Sequence, residues 1–501
     1  MLAAGVLPAV GANAAEASAA NLGAEKLRIG VLADIHVKGT EPQPYIEKAF
    51  RAFDAWKADG IVACGDLADY GLRQQLEILG ETWFKVFPDG KGSDGRPVVN
   101  LMHYGDHDMA TNYADRPDAV KAWPDDDFRR GGLIFTGDRK KIWEDCFHEE
   151  WKPIVLKEVK GYPFVLAHFT KGEEGNEHGQ NVPGLEQFFA AHSFDPAKPI
   201  FYSQHRIPKG TACLKSGEAE DGRTTELFSK YPNMVALSGH YHISATHDRC
   251  IWQGAFTSIH VPSLRYCWTM PGRENSYAGE DRPPRAPVYP SKMMREFKSH
   301  QTHQGYFMTV YERGLVIRRW EFEYDLPLGP DWVVPFSSFL LPPDEKPFAP
   351  VKRAQVVPVP SFAGNEKISL SACRGKDRAG NPHDMVKVSF PPVNGTDGRS
   401  PRATDYEVTV LLGQGDVERV LCQKRVFSPR HMFGDKMDTE PVECLFSKEE
   451  IPDGWNVRYE VRPCNAFGKK GAPIGTPYAV SGPSKESNSK KRKSTQAKAK
   501  K

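Results

Sequence analysis

The sequence predicts an α/β domain followed by a smaller all-β sandwich domain. Up to about residue 325, apolar strands that each run into a polar tip alternate with amphipathic helical stretches; a proline-rich stretch follows from Pro327 to Pro360. Beyond it, short segments alternate apolar and polar residues between turn-rich loops, with no helical spacing. At 501 residues the chain is about three times the length of a typical domain, so a catalytic domain with an accessory domain is expected.

The first domain opens as β-α-β-α-β. LRIGVLAD from Leu27 reads as a buried strand, PYIEKAFRAFDAWK as a helix, GIVACGD as a strand, LRQQLEILGETWFKVF as a helix and PVVNLMHYGD as a strand. After a long polar insertion, PFVLAHF, KPIFYSQH and NMVALSGH are strands ending in polar tips, with GLEQFFAAH and TTELFSKY as helices between them. Ligand sites in α/β sheets sit at the carboxyl ends of strands, so these tips are where function is expected. YFMTVYERGLVIRRWEFEY reads as a hairpin turning at Arg313-Gly314 that closes the catalytic domain, residues 26–325; residues 326–364 read as a linker lying against that domain or spanning to the next. MVKVSFPPV, ATDYEVTVLL, ERVLCQKRVF and WNVRYEVRPCNAFGKKGAP supply the β-sandwich, residues 365–482.

Composition bounds the function. The apolar fraction of 40% and charged fraction of 26% are those of a globular protein, and no apolar run approaches the roughly 18 residues of a membrane span. Eight Lys/Arg against Glu486 concentrate a surplus of +7 in the tail from Lys485, leaving about −5 for the rest. That tail, residues 483–501, reads as disordered and solvated. The opening MLAAGVLPAVGANAAEASAA reads as the apolar part of an export signal with small residues at Ala12 and Ala14, although no basic residue precedes Lys26; a flexible Ala-rich leader over residues 1–25 is the alternative. Export to a bacterial periplasm or beyond is the expected localisation. Nine cysteines show no CxxC pair; Cys422 with Cys444 and Cys213 with Cys250 are candidate disulfides, free buried thiols the alternative. No Gly-rich phosphate loop, dinucleotide fingerprint or basic stripe with stacked aromatics is present, which argues against a nucleotide cofactor and a dedicated nucleic-acid binder.

Five short motifs occupy strand ends in order: Asp34-Ile35-His36, Gly65-Asp66-Leu67-Ala68-Asp69, Gly105-Asp106-His107-Asp108, His205, and Gly239-His240-Tyr241-His242. Their ordered co-occurrence over about residues 27–325 resembles the calcineurin-like metallophosphoesterase family. The resemblance implies a four-layer α/β/β/α sandwich and two metal ions, Mn, Fe or Zn. It places Asp34, His36 and His242 on one ion and Asp106, His205 and His240 on the other, with Asp66 bridging. Carboxylates offset the charge of two nearby cations and imidazoles complete their shells. It further implies hydrolysis of a phosphomonoester or phosphodiester by a hydroxide held between the two ions, with His107 at the leaving oxygen and Asp69 as the carboxylate that pairs with it. A loop or helix cap is the plainer reading of Asp69.

One position departs from the family pattern: Asp106 stands where Asn is usual. The added carboxylate cancels a further unit of metal charge and removes an amide donor, which points to a trivalent ion such as Fe(III), a partly protonated Asp106, or a weakened site. Arg206 and Arg265 are candidates for phosphate oxygens, surface or structural ion pairs being the alternative. His103, His168, His247 and His260 read as hydrogen-bonded structural groups. Asp69 stands where purple acid phosphatases carry a tyrosine, and Tyr70-Gly71 follows where protein phosphatases carry Arg-Gly, leaving a small phosphoester as substrate by elimination. The insertion from Asn112 to Lys160 forms either the rim of the cleft or an outer helical decoration.

With a strand before the Pro391-Pro392 pair, a Tyr406-x-Val408 strand and a Tyr459-x-Val461 ending that runs on to Asn465 and Gly468, the last domain resembles a fibronectin type III domain, a module compatible with glycan or cell-surface contact. The competing reading of the whole chain is a surface binding or adhesion protein with a relict metal site.

Overall fold

A computed structural model of the chain describes residues 21–39, 41–109, 139–170, 179–213, 221–268, 272–275, 302–376, 382–393, 403–414, 417–428 and 441–481. The N-terminal leader up to residue 20, residues 110–138 of the insertion and the basic tail from residue 482 lie outside the described residues. The chain divides into two compact units, Met1–Cys267 with His300–Gln355, and Trp268–Ser299 with Val356–Lys501.

The first unit is built in the expected order. Strand β1 (Glu25–Leu32) leads to α1 (Pro44–Ala55), β2 (Gly60–Cys64), α2 (Arg73–Val86) and β3 (Val99–His103). Then come α3 (Arg139–Phe147), β4 (Ile154–Val159), β5 (Tyr162–Ala167), α4 (Val182–Ala191), β6 (Ile200–Ser203), α5 (Arg223–Phe228), β7 (Met234–Ser238), β8 (Ile251–Gln253) and β9 (Thr257–His260). The hairpin β10 (Gln304–Tyr311) and β11 (Gly314–Glu321) is followed by β12 (Leu326–Pro327) and β13 (Trp332–Pro335). Tyr311 pairs with Gly314, so the turn is Glu312-Arg313, one residue earlier than the sequence suggests.

These strands make two sheets. One runs β12-β11-β10-β1-β2-β3, parallel across β1, β2 and β3 and antiparallel elsewhere, with β13 also on β11. The other runs β4-β5-β6-β7-β9-β8, parallel from β5 to β9 and antiparallel at both edges. Strands buried on both faces read as continuous apolar runs, and GIVAC and MVALS are buried at every position. Ile29, Val31, Val62 and Leu101 of one sheet meet Phe164, Phe201, Val235 and Ile259 of the other in a shared core. On the outer face of the first sheet α1, α2 and α3 bury Phe50, Phe53, Leu79, Trp83 and Trp143; on the outer face of the second, α4 and α5 bury Leu185, Phe189 and Phe228. The result is a four-layer α/β/β/α sandwich.

Helix α1 illustrates the logic. Pro44 occupies its first turn, where a missing N–H costs nothing, and Ile46, Ala49, Phe50 and Phe53 fall on one face and are buried. Each large side chain so buried contributes roughly 1.5–3 kcal/mol. The part of the insertion from residue 139 onward is helix α3 and the edge strand β4; Trp143 packs edge-on against Tyr104 at 5.0 Å, which makes α3 a third helix of the outer layer. The sheet also continues past residue 325, because Trp332 and Val334 are buried and β13 pairs with β11.

The second unit is all β in its described strands. β14 (Ser369–Lys376), β15 (Pro382–Phe390) and β18 (Val442–Ser447) form one sheet; β17 (Val417–Phe427), β16 (Asp405–Gln414), β19 (Asn456–Cys464) and β20 (Ile474–Gly475) form the other, with β21 (Ala479–Val480) also on β19. Val388, Phe390, Tyr406, Val408, Phe446 and Val461 fill its core. Arg273, from the segment between β9 and β10, belongs to this unit and pairs with the buried Asp405, which Arg425 reaches as well.

Gly30 in β1 lies under the Phe53 ring: an added Cβ would stand 2.7 Å from that ring, which is itself held edge-on by Phe307 and Phe322. Gly30→Val should therefore cost about 1–3 kcal/mol, read as a lower urea midpoint at constant slope. An unchanged midpoint would show that the Phe53 ring moves aside freely.

Candidate metal centre

All five motifs leave the carboxyl ends of parallel strands. Asp34 and His36 follow β1, Asp66 follows β2, Asp106 and His107 follow β3, His205 follows β6, and His240 and His242 follow β7. Main-chain bonds tie the loops together before any side chain acts: Asp34 N–H donates to Gly65 O at 3.0 Å, His36 N–H to Asp66 O at 2.9 Å, and Gly239 N–H to His205 O at 2.9 Å. Asp34, His36, Asp66, His240 and His242 all hold positive φ, between 46° and 76°. Residues without glycine's freedom adopt this conformation at a cost, and such strain collects at functional sites.

The side chains converge in two groups. In the first, His242 Nε2 stands 3.1 Å from Asp34 Oδ1 and 3.1 Å from His36 Nε2, and His36 Nε2 is 3.6 Å from Asp66 Oδ2. In the second, His205 Nε2 lies 3.1 Å from Asp106 Oδ1, 3.2 Å from His240 Nδ1 and 3.1 Å from Asp66 Oδ2. A single oxygen, Asp66 Oδ2, therefore faces both groups. The seven residues named from the motifs are brought together, five of them with under a tenth of their surface exposed and the side chains of Asp106 and His240 at 18% and 21%.

The far ring nitrogens set which atoms converge. His205 Nδ1 bonds Cys64 O at 2.8 Å and His242 Nδ1 bonds Tyr266 O at 3.1 Å; carbonyls only accept, so both Nδ1 atoms carry the proton and both Nε2 lone pairs point inward. Bare imidazole nitrogens and carboxylate oxygens held about 3 Å apart are all acceptors and repel unless positive charge lies between them. Burial opposes a charge on His205, yet Asp66 and Asp106 hold its pKa well above the usual range, another sign of unmet negative charge. The nitrogen and oxygen donors suit two borderline or hard cations.

Asp69 differs from its expected pairing. His107 Nδ1 does bond to Asp69, but to its main-chain carbonyl at 2.6 Å. The Asp69 carboxylate is instead 3.1 Å from His36 Nδ1 and 2.9 Å from Arg265 Nη1, two partners that draw its negative charge away from His107. Burial works against its ionisation, but His36 and Arg265 keep its carboxyl well below the usual carboxylate range. For His107, burial opposes protonation while Asp66 and Asp106 outweigh it and lift the pKa to about 9.

Both candidate arginines are engaged with site carboxylates. Arg206 Nη2 donates to Asp106 Oδ2 at 2.8 Å and Arg265 donates to His36 O at 3.2 Å besides binding Asp69. Of the other histidines, His103 bonds Ser203 Oγ at 2.7 Å, His168 accepts from Tyr104 N–H and His247 accepts from Arg249 N–H, as expected for structural groups. Asp108 is a supporting residue that motif reading did not single out. Fully buried, it accepts main-chain N–H bonds from Leu67, Ala68 and Gly105, fastening the Asp66 loop to the Asp106 loop; burial and nearby Asp66 nonetheless push its pKa up to about 7. Its only signal in the sequence is its place in the third motif.

Residues 27–244 match the family model described as calcineurin-like phosphoesterase. Among curated proteins the chain is similar to the UDP-2,3-diacylglucosamine pyrophosphatase LpxG of Chlamydia muridarum (strain MoPn / Nigg), 25% identical over 225 residues that cover 43% of this chain and 63% of that protein. Among solved structures it is similar to purple acid phosphatase PPD1 from yellow lupin (Lupinus luteus) seeds, at 14% identity and a TM-score of 0.37 over 62% of this chain and 53% of that one. It is also similar to a dimetal phosphatase from Danio rerio, at 10% identity and a TM-score of 0.34 over 62% of this chain and 100% of that one. The chain thus spans less than two thirds of the first two of these relatives. The match to the calcineurin-like phosphoesterase model spans all seven residues that converge in the centre, from Asp34 to His242.

Proposed function

We propose that this domain hydrolyses a phosphoester bond at a centre of two metal ions, with Asp34, His36 and His242 holding one, Asp106, His205 and His240 the other, and Asp66 shared. The observation that carries the reading is Asp66 Oδ2, 3.6 Å from His36 Nε2 and 3.1 Å from His205 Nε2, one oxygen serving both donor groups. When bound, such ions acidify a water as nucleophile and offset the charge of the phosphoryl oxygens. The protein's own residues do the rest. His107 N–H donates to Asp66 Oδ1 at 2.9 Å and so aims the shared carboxylate. With His107 Nδ1 bonded to the Asp69 carbonyl, the Nε2 proton is the one left to give to a leaving oxygen. Asp69 acts as a positioning residue for His36.

Arg206 answers the charge question raised by Asp106. An extra carboxylate beside two cations removes a unit of positive charge, and a guanidinium 2.8 Å from that carboxylate returns it. The Asp106–Arg206 pair is in this reading the electrostatic equivalent of the usual Asn, so divalent ions suffice.

The pyrophosphatase name of the LpxG relative favours a second substrate class, the phosphoanhydride of a nucleoside-diphosphate lipid, alongside simple mono- and diesters. The Ala-rich leader supports export, and the division of the C-terminal strands into a three-stranded and a five-stranded antiparallel sheet around one core supports a fibronectin type III-like module.

Metal-stripped protein reconstituted with Mn, Zn or Fe should hydrolyse p-nitrophenyl phosphate, bis-p-nitrophenyl phosphate or UDP-2,3-diacylglucosamine. His107→Ala should lower kcat at least ~100-fold with metal content unchanged. Metal uptake without turnover on any of the three would overturn the enzyme reading in favour of a binding protein with a relict site. Arg206→Met should lower kcat/KM, and Asp106→Asn added to it should restore much of the loss, a coupling on the order of 1–3 kcal/mol. Strictly additive losses would mean that Arg206 does not act through Asp106.

A further inference from the structure

A second cluster of coordinating side chains is buried in the same unit outside the centre: Cys213, Cys250 and His260, with one donor atom of each within 4.8 Å of the other two. Cys213 Sγ and Cys250 Sγ are 3.6 Å apart, and no member is more than 6% exposed. The main chain holds them there. Cys213 N–H donates to Arg249 O at 2.7 Å, His260 N–H donates to Cys250 O at 2.7 Å, and Cys213 sits at a φ of 62°, which a non-glycine residue adopts only under constraint.

Neither a pair of thiols nor a disulfide accounts for the histidine. His260 is fully buried, and although its ring stands against Cys250, no well-formed hydrogen bond reaches either ring nitrogen. Leaving one such group unsatisfied costs about 1–3 kcal/mol. A cation deprotonates the sulfurs it binds, so the cluster would hold an ion as two thiolates with one imidazole.

We propose that Cys213, Cys250 and His260 bind a thiophilic ion, Zn(II) or Cu(I), as a structural site separate from the catalytic centre. The sulfur spacing of 3.6 Å is close to the roughly 3.8 Å that two Zn–S bonds of about 2.3 Å subtend at a tetrahedral ion. Two thiolates with one imidazole are the soft donor set that selects these ions over the harder ones suited to carboxylate-rich sites. The ion staples the loop that begins at His205 and reaches Cys213 to the loop that begins at His240 and reaches Cys250, with the end of β9 as the third leg. Three of the seven residues of the catalytic centre ride on those two loops.

The test uses the full chain, reduced and stripped of metal, titrated with Co(II) under anaerobic conditions. A thiolate-to-cobalt charge-transfer band should appear, be lost in Cys213→Ser and in Cys250→Ser, and persist in Cys422→Ser and in His36→Ala, which separates it from the carboxylate-rich centre. Displacement by Zn(II) and by Cu(I) then distinguishes the two ions. Because the serine variants could fold poorly, the unmutated protein supplies a second reading: Zn(II) should slow alkylation of Cys213 and Cys250, mapped by peptide mass, at least tenfold relative to Cys422. No band in the unmutated protein, a band that survives both serine changes, no protection by Zn(II), or a Cys213–Cys250 cross-link in the unreduced protein would each overturn the proposal.

Discussion

The centre depends on how closely two strand-end turns approach each other. A Cβ on Gly105 would fall onto Asp66 N and Oδ1, and one on Gly65 would come within 2.7 Å of Gly105 Cα and of His205 Nδ1. Only two bare Cα positions let the β2 and β3 loops touch, and that contact puts Asp66 between the two donor groups. Gly239 repeats the device from the second sheet, where an added Cβ would meet Asp34 Oδ2. The cost of the positive φ angles at five of the seven donors is borne by the surrounding structure: buried parallel strands on one side, and Asp108 with its three amide bonds on the other.

Once the loops are in place, charge decides how the side chains are shared. Three carboxylates from Asp34, Asp66 and Asp106 face inward among four imidazoles, and each carboxylate outside the shared oxygen has a cation or a main-chain donor of its own. His240 N–H donates to Asp34, Arg206 binds Asp106, and Arg265 binds Asp69 behind His36. Two residues that look like phosphate ligands in the sequence are thus committed to the carboxylates. An arginine that neutralises a coordinating Asp changes the field a substrate feels without touching the substrate, which ties the identity of position 106 to that of position 206.

Carboxylates and imidazoles also separate this centre from the Cys213–Cys250–His260 cluster. Hard or borderline ions prefer oxygen and nitrogen donors; a buried cluster with two sulfurs prefers soft ions. The same pair of loops carries both, which couples the stability of the loops to the geometry of the centre.

The sequence by itself determined the α/β class, the order and approximate limits of the strands and helices, and the seven residues that converge. Each of these is a local signal: apolar runs such as GIVAC, the Ile46–Phe53 helical stripe, and short polar motifs directly after strands. The C-terminal alternation likewise announced two β sheets. Only the tertiary structure decided the pairings that join distant positions. Asp69 serves His36 rather than His107, Arg206 serves Asp106, main-chain carbonyls of Cys64 and Tyr266 fix two imidazole tautomers, and β13 extends the first sheet past the apparent domain end. Such contacts depend on which way a side chain leaves its loop and on what the facing sheet brings opposite it. Those are distances in space, and residue type and spacing along one chain do not encode them.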